Sequence, residues 1–98
     1  MRIIGGTAKS RKIKIPRING TRPTLDNVKE ALFNILGEFI KDKTFLDLYA
    51  GSGSLGLEAL SRGAKDVTLV DNNPECIAAI QNNLKNLGFK KKAVVLNL

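Results

Sequence analysis

T-F-L-D-L-Y-A-G-S-G-S-L-G-L-E-A-L-S-R-G, residues Thr44 to Gly63, decides how the chain folds. Phe45-Leu46-Asp47-Leu48 is an apolar run of strand length, Gly51-Ser52-Gly53-Ser54 is a glycine cluster, and Leu55 to Arg62 reads as a helix. Strand, tight glycine loop and helix together carry backbone N–H groups and a helix N-terminus up to a bound ligand. Glycine suits such a loop because it accepts positive φ freely and leaves room for close backbone approach. The next apolar run, Val67-Thr68-Leu69-Val70, ends in Asp71. That carboxylate stands about 20 residues beyond Gly51, the offset at which an acidic side chain reaches the ribose hydroxyls of a nucleotide-like cofactor.

Downstream, Asn73 caps a further helix with Pro74 in its first turn, and Ile77, Ile80, Leu84 and Leu87 mark its buried face. Gly88 stops it, and Ala93-Val94-Val95-Leu96 begins a third strand. Upstream, Arg22-Pro23-Thr24 leads into a helix with Thr24 as its N-cap and Asp26 in its first turn. Leu25, Val28, Leu32, Ile35, Leu36 and Phe39 recur at three- and four-residue spacing, which predicts one apolar stripe with Lys29 and Glu30 off it. Farther back, Arg2-Ile3-Ile4 and Lys12-Ile13-Lys14-Ile15 read as two short strands turned at Gly5-Gly6 and closed by Pro16. A two-stranded ribbon is marginal alone, so it must lean on something larger or be ordered by a ligand.

The fold class is therefore α/β: the N-terminal portion of a Rossmann-like domain, a parallel sheet with flanking helices, preceded by a basic hairpin and a helix. Residues 1–22 form the basic extension and residues 23–98 the first half of the domain. Three strands leave much of such a sheet uncovered, so the expectation is the front half of something larger.

Ninety-eight residues, 43% hydrophobic and 26% charged, fit one small globular domain. No run approaches a membrane span, the start has no export signal, and the one cysteine allows no intrachain disulfide, so cytoplasm is expected. The net charge of +7 is concentrated at one end. Arg2, Lys9, Arg11, Lys12, Lys14, Arg17 and Arg22 fall in the first 22 residues, with no acidic residue among them. Such a field draws polyanions, and its plainer alternative is a solubilising tail.

Gly51-x-Gly53-x-x-Gly56 matches the dinucleotide spacing, but so short a motif discriminates poorly. Asp47 separates the readings. A nicotinamide- or flavin-type fingerprint has a wholly apolar first strand, whereas here a carboxylate sits at the strand's end and needs donors from the loop or from a ligand's ammonium group. Asp71 suits ribose hydroxyls or a helix cap. Tyr49 either walls the pocket or packs beneath the loop, and Arg22 is either a surface charge or a phosphate-facing group. Cys76 has no histidine to activate it and reads as a small buried hydrophobe; the same lack argues against zinc.

R-I-I-G-G at 2–6, R-P-T at 22–24, V-K-E-A-L-F-N-I-L at 28–36 and F-L-D-L-Y-A-G-S-G-S-L-G-L-E-A-L-S-R-G at 45–63 closely resemble the bacterial RsmD family. Its members are S-adenosylmethionine-dependent enzymes that methylate the exocyclic N2 of a guanine in 16S ribosomal RNA. The resemblance implies a class I methyltransferase fold and S-adenosylmethionine as cofactor, with no metal. By position it puts Asp47, Gly51 and Gly53 around the methionine part and Asp71 on the ribose hydroxyls, with Tyr49 and Ala50 lining the pocket. Arg2, Lys9, Arg11, Lys12, Lys14 and Arg22 would meet 16S rRNA, free or in a small-subunit particle. The family's catalytic Asp/Asn-Pro-Pro-aromatic motif falls beyond Leu98, so no catalytic residue is assigned. The parent protein is expected to be an enzyme and these 98 residues alone to be inactive. A nicotinamide- or flavin-binding half domain and a non-enzymatic RNA-binding fragment are the alternatives.

Overall fold

The computed structural model describes residues 1–16 and 26–98. Three parallel strands lie side by side in chain order: β1 (Thr44–Leu48), β2 (Asp66–Asp71) and β3 (Ala93–Asn97). α1 (Asp26–Leu36) precedes them and runs into a 3-10 turn at Gly37–Ile40. α2 (Ser54–Ser61) joins β1 to β2, and α3 (Pro74–Leu87) with a 3-10 turn at Lys90–Lys92 joins β2 to β3. The β-α-β-α-β order expected from the sequence is the order observed. Among the described residues no helix is long and apolar enough to cross a membrane.

Residues opposed in a parallel register share a face of the sheet. Phe45 pairs with Val67 and Val67 with Ala93, and Leu69 pairs with Val95. On this face α2 and α3 pack, with Leu57, Leu60, Ile80 and Leu84 buried together with Val67 and Leu69. Gly56 makes the approach of α2 possible. A Cβ there would stand 2.6 Å from Leu69 Cδ2 and 2.9 Å from Val67 Cγ1, closer than packed carbons come. The opposite face presents Leu46, Leu48, Val94 and Leu96 to solvent, the uncovered surface anticipated for a three-stranded sheet.

α3 has the ends its sequence announces. The Asn73 side chain accepts a hydrogen bond from the Glu75 N–H at 2.8 Å, Pro74 occupies the first turn, and Gly88 closes the helix in the left-handed region. Its buried face is rotated from the expected stripe: Cys76, Ala79, Ile80, Asn83 and Leu84 are inside, while Ile77 and Leu87 are half-buried.

α1 overturns its sequence reading. Val28, Leu32, Ile35 and Phe39 are exposed, and the helix buries Lys29 and Phe33 instead. Periodicity identifies an apolar stripe but not what the opposite stripe meets. Here Lys29 meets oxygen atoms that satisfy its ammonium group, described below.

The N-terminal hairpin is also narrower than expected. Its antiparallel pairing reduces to one bridge, Arg2 with Lys12, and three backbone hydrogen bonds: Ile3 N–H to Arg11 O, Ser10 N–H to Ile3 O and Ile13 N–H to Met1 O. Ile3, Ala8 and Ile13 join the core, and the Ile4, Gly5, Ala8 and Lys14 N–H groups of the hairpin bond to side chains of α2 and α3. The Asn19-Gly20 turn, Arg17, Arg22, the Thr24 cap and the expected boundary between residues 22 and 23 lie outside the described residues.

Candidate functional site

At the C-terminal ends of β1 and β2 the backbone leaves the sheet in a tight loop. Tyr49, Gly51 and Gly53 all adopt positive φ, at 58°, 60° and 82°. For a tyrosine this costs on the order of 1 kcal/mol, and the surrounding bonds hold it there. The Ala50 N–H donates to Val70 O at 2.9 Å, and the Gly53 N–H donates to Ala50 O at 2.8 Å. The Tyr49 ring is left 90% exposed, so it does not pack beneath the loop.

Asp71, ending β2, fixes this loop to the next. One carboxylate oxygen accepts the Gly51 N–H at 2.9 Å and the other accepts the Asn73 N–H at 2.9 Å. Each oxygen keeps a second acceptor position. Asp47 is held less well. Among the described residues it accepts only the Gly56 N–H, at 3.3 Å. Burial pushes its carboxyl above the ordinary range, the Gly56 bond pulls it back in part, and the nearby Asp71 charge raises it further. Cys76, on the same cleft wall as Asp71, is likewise pushed up, first by burial and then by Asp71.

Asp47, Tyr49, Ala50, Gly51 and Asp71 line one cleft of about 370 Å³. Gly53 is not on its wall: it is buried under the loop, where a Cβ would lie 3.3 Å from Ile80 Cγ1. The described lining includes two carboxylates and no lysine or arginine, in a chain of net charge +7. A cationic ligand is favoured in such a cleft and a pyrophosphate is not.

The extension's cations are placed unevenly. Arg2, Lys9, Lys12 and Lys14 are exposed. Arg11 spends one guanidinium N–H on Asn86 O at 2.7 Å, near the carbonyl end of α3, where a cation suits the helix dipole. Arg2 and Lys9 share a second cleft of about 470 Å³ with Arg62 and Glu30.

A protein-family model described as Conserved hypothetical protein 95 matches residues 1–98. The chain belongs to that family. This Conserved hypothetical protein 95 member is 48% identical over 91 residues to ribosomal RNA small subunit methyltransferase D of Escherichia coli K12, covering 93% of this chain and 44% of that protein. It is 46% identical over 98 residues to the Haemophilus influenzae protein of the same name, covering 99% and 51%. The solved structure of Escherichia coli yhhF matches it with a TM-score of 0.88 at 45% identity, over 100% of this chain and 52% of that one. The RsmD likeness read from the motifs therefore stands, and the fold is the Rossmann-like one of class I methyltransferases. The chain spans about half the length of the curated relatives it matches.

The sequence reading missed a buried polar cluster under the hairpin. Lys29, fully buried, donates to Arg2 O at 2.6 Å and to Ser54 Oγ at 3.0 Å, and its Nζ lies 3.3 Å from Glu58 Oε1. Glu58, also fully buried, accepts the Ile4 and Gly5 N–H groups at 2.9 Å each and Arg62 Nε at 2.8 Å. Burial alone would push the Glu58 carboxyl up. The Ile4, Arg62 and Gly5 donors and the Lys29 charge outweigh it and hold the group below its ordinary range. The sequence carried one weak signal, Glu58 as a lone charge within the otherwise apolar stretch 55–60, and none at Lys29, which falls off the apolar stripe of α1.

Proposed function

We propose that this chain is the cofactor-binding half of an S-adenosylmethionine-dependent enzyme that methylates the exocyclic N2 of a guanine in 16S rRNA, in the cytoplasm. The observation that carries the reading is the pair Asp47 and Asp71 on either side of the glycine loop, in a cleft with no described basic lining residue. Asp47, short of donors, suits the ammonium group of a methionine moiety. Asp71, with acceptor capacity left on both oxygens, suits two ribose hydroxyls. Both fit S-adenosylmethionine, which carries an ammonium and a sulfonium. They disfavour a dinucleotide, whose pyrophosphate would bring negative charge toward Asp47.

The bound cofactor supplies an electrophilic methyl group. These residues would hold and orient it: the loop sets the depth of the cleft, Asp47 would take the methionine ammonium and Asp71 the ribose hydroxyls in the middle of the ligand, and Tyr49 stands at the mouth. A guanine N2 amine is a poor nucleophile because its lone pair is delocalised, so its acceptors and its alignment govern the rate. None of the described residues in the cleft is arranged for that task, which falls to other parts of the full-length enzyme. The target base must leave its stack to be reached. Residues 1–22, with Arg2, Lys9, Lys12, Lys14 and Arg22, serve as the polyanion-facing extension of the domain formed by residues 23–98.

The test is transfer of a radiolabelled methyl group to small-subunit RNA or particles by the full-length protein, followed by nucleoside analysis. N2-methylguanosine is the expected product, and residues 1–98 alone should give none. A methylated ribose, a different base, or turnover by residues 1–98 alone would overturn the reading.

A further inference from the structure

Asn83 is buried in the middle of α3, 2% exposed, and spends its amide on two other parts of the molecule. Its Oδ1 accepts the Lys14 N–H at 2.8 Å, and its Nδ2 donates to Lys14 O at 2.9 Å and to Ser52 O at 3.0 Å. Lys14 is in the hairpin, and Ser52 is in the glycine loop. Both amide hydrogens and the carbonyl oxygen are thus engaged, and none is spent within α3. Immediately after Lys14, Ile15 and Pro16 form part of the wall of the cleft that Asp47 and Asp71 line. One side chain therefore sets the glycine loop and the cleft-side end of the hairpin in a common register. Lys29 makes a second tie of a similar kind, joining Arg2 O in the hairpin to Ser54 at the start of α2.

We propose that Asn83 is a positioning residue through which the cleft and the basic hairpin favour each other's ligands. A cofactor that fills the cleft presses on Ile15, Pro16 and the loop, and so fixes the strand that carries Lys12 and Lys14. A polyanion held by those lysines fixes the same strand from outside. Both ligands select one arrangement of the Lys14–Pro16 strap, and linkage then requires that each tighten the other by the same factor. The inference rests on the cofactor reading of the cleft.

The experiment is a thermodynamic cycle in the full-length protein, with S-adenosylhomocysteine and a single-stranded oligouridylate as probes. Each is titrated alone and then in the presence of saturating amounts of the other. In the wild type, both affinities should rise about fivefold or more, the lower end of what coupled sites show. Asn83→Leu should bring that factor close to one while each ligand alone still binds. Lower stability without loss of the tie would weaken both affinities and leave their ratio, so the ratio reports on positioning. Where Asn83→Leu fails to fold, Ile15→Ala removes the wall contact instead and should lower the factor in the same way. A wild-type factor of one with both probes binding overturns the proposal and leaves the cofactor reading intact. Full coupling retained in Asn83→Leu, or in Ile15→Ala where that variant stands in, also overturns it. Absence of S-adenosylhomocysteine binding to the wild type removes the cofactor reading and the proposal with it.

Discussion

Glu58 and Asp47 are both carboxylates drawn out of solvent beside the same glycine loop, and the fold treats them in opposite ways. Glu58 receives two backbone N–H groups and Arg62, with Lys29 close by, and its carboxyl is held below the ordinary range. Asp47 receives one longer bond from the described residues and is pushed above it, chiefly by burial. A buried charge with its hydrogen-bonding positions filled is structural, because any ligand would have to displace protein donors. A half-buried charge with positions left over is poised for something outside the chain. The contrast separates the carboxylate that holds the hairpin on from the one that faces the cleft.

The largest effect should come from the filled cluster. Glu58→Ala leaves Lys29 buried with the Arg2 carbonyl, the Ser54 hydroxyl and, at 4.0 Å, the Asp26 carboxylate as its described partners, and should cost about 3–5 kcal/mol in denaturant unfolding. A cost below about 1 kcal/mol would show that the cluster is solvated after all. Next comes the cleft: Asp71→Ala should weaken S-adenosylhomocysteine binding by about 1–3 kcal/mol in calorimetry, from lost charge-assisted bonds to hydroxyls. Part of that will come from loosening the Gly51 and Asn73 N–H groups that Asp71 now holds.

The pH dependence of stability should divide the two carboxylates by sign. Glu58, lowered in the folded state, contributes stability that is fully present above about pH 4.5 and is lost as pH falls through its folded value. Asp47, raised in the folded state, does the reverse: stability falls as pH rises from about 3.8 through its folded value. Asp47→Asn should therefore flatten the profile in the second sense and Glu58→Gln in the first. Equal slopes for the two variants would erase the comparison. The smallest effect belongs to the hairpin surface. Replacing Lys9, Lys12 and Lys14 together should flatten the salt dependence of RNA binding by about 0.7 per lost phosphate contact. Arg11 should add little, since it is engaged with Asn86 O.

The legible part of this molecule was the part built from repeated local rules. The glycine loop, Asp71 at the end of its strand, the Asn73-Pro74 cap and the Gly88 stop each follow from one or a few neighbouring residues. The illegible part consisted of long-range polar contacts. Nothing around Lys29 tells that an Arg2 carbonyl and Glu58 will meet it, nor does anything around Asn83 tell that Lys14 and Ser52 will. For the same reason the apolar stripe of α1 was read as its buried face, yet Val28, Ile35 and Phe39 are exposed. Amphipathicity reports which face is apolar, and the partner decides which face is covered. The hairpin was rightly expected to need support, but its support comes through side chains reading its backbone, which no strand pattern encodes.

We propose that Asp47, which meets one donor among the described residues, is kept so for a cationic ligand. The direct test measures S-adenosylhomocysteine affinity and ligand-free melting temperature together, for the full-length wild type and Asp47→Asn. An affinity loss of about tenfold is expected, the scale of one charge-assisted hydrogen bond, with a melting temperature equal to or above the wild type's. Unchanged affinity with a lowered melting temperature would make Asp47 a structural residue like Glu58 and would contradict the proposal.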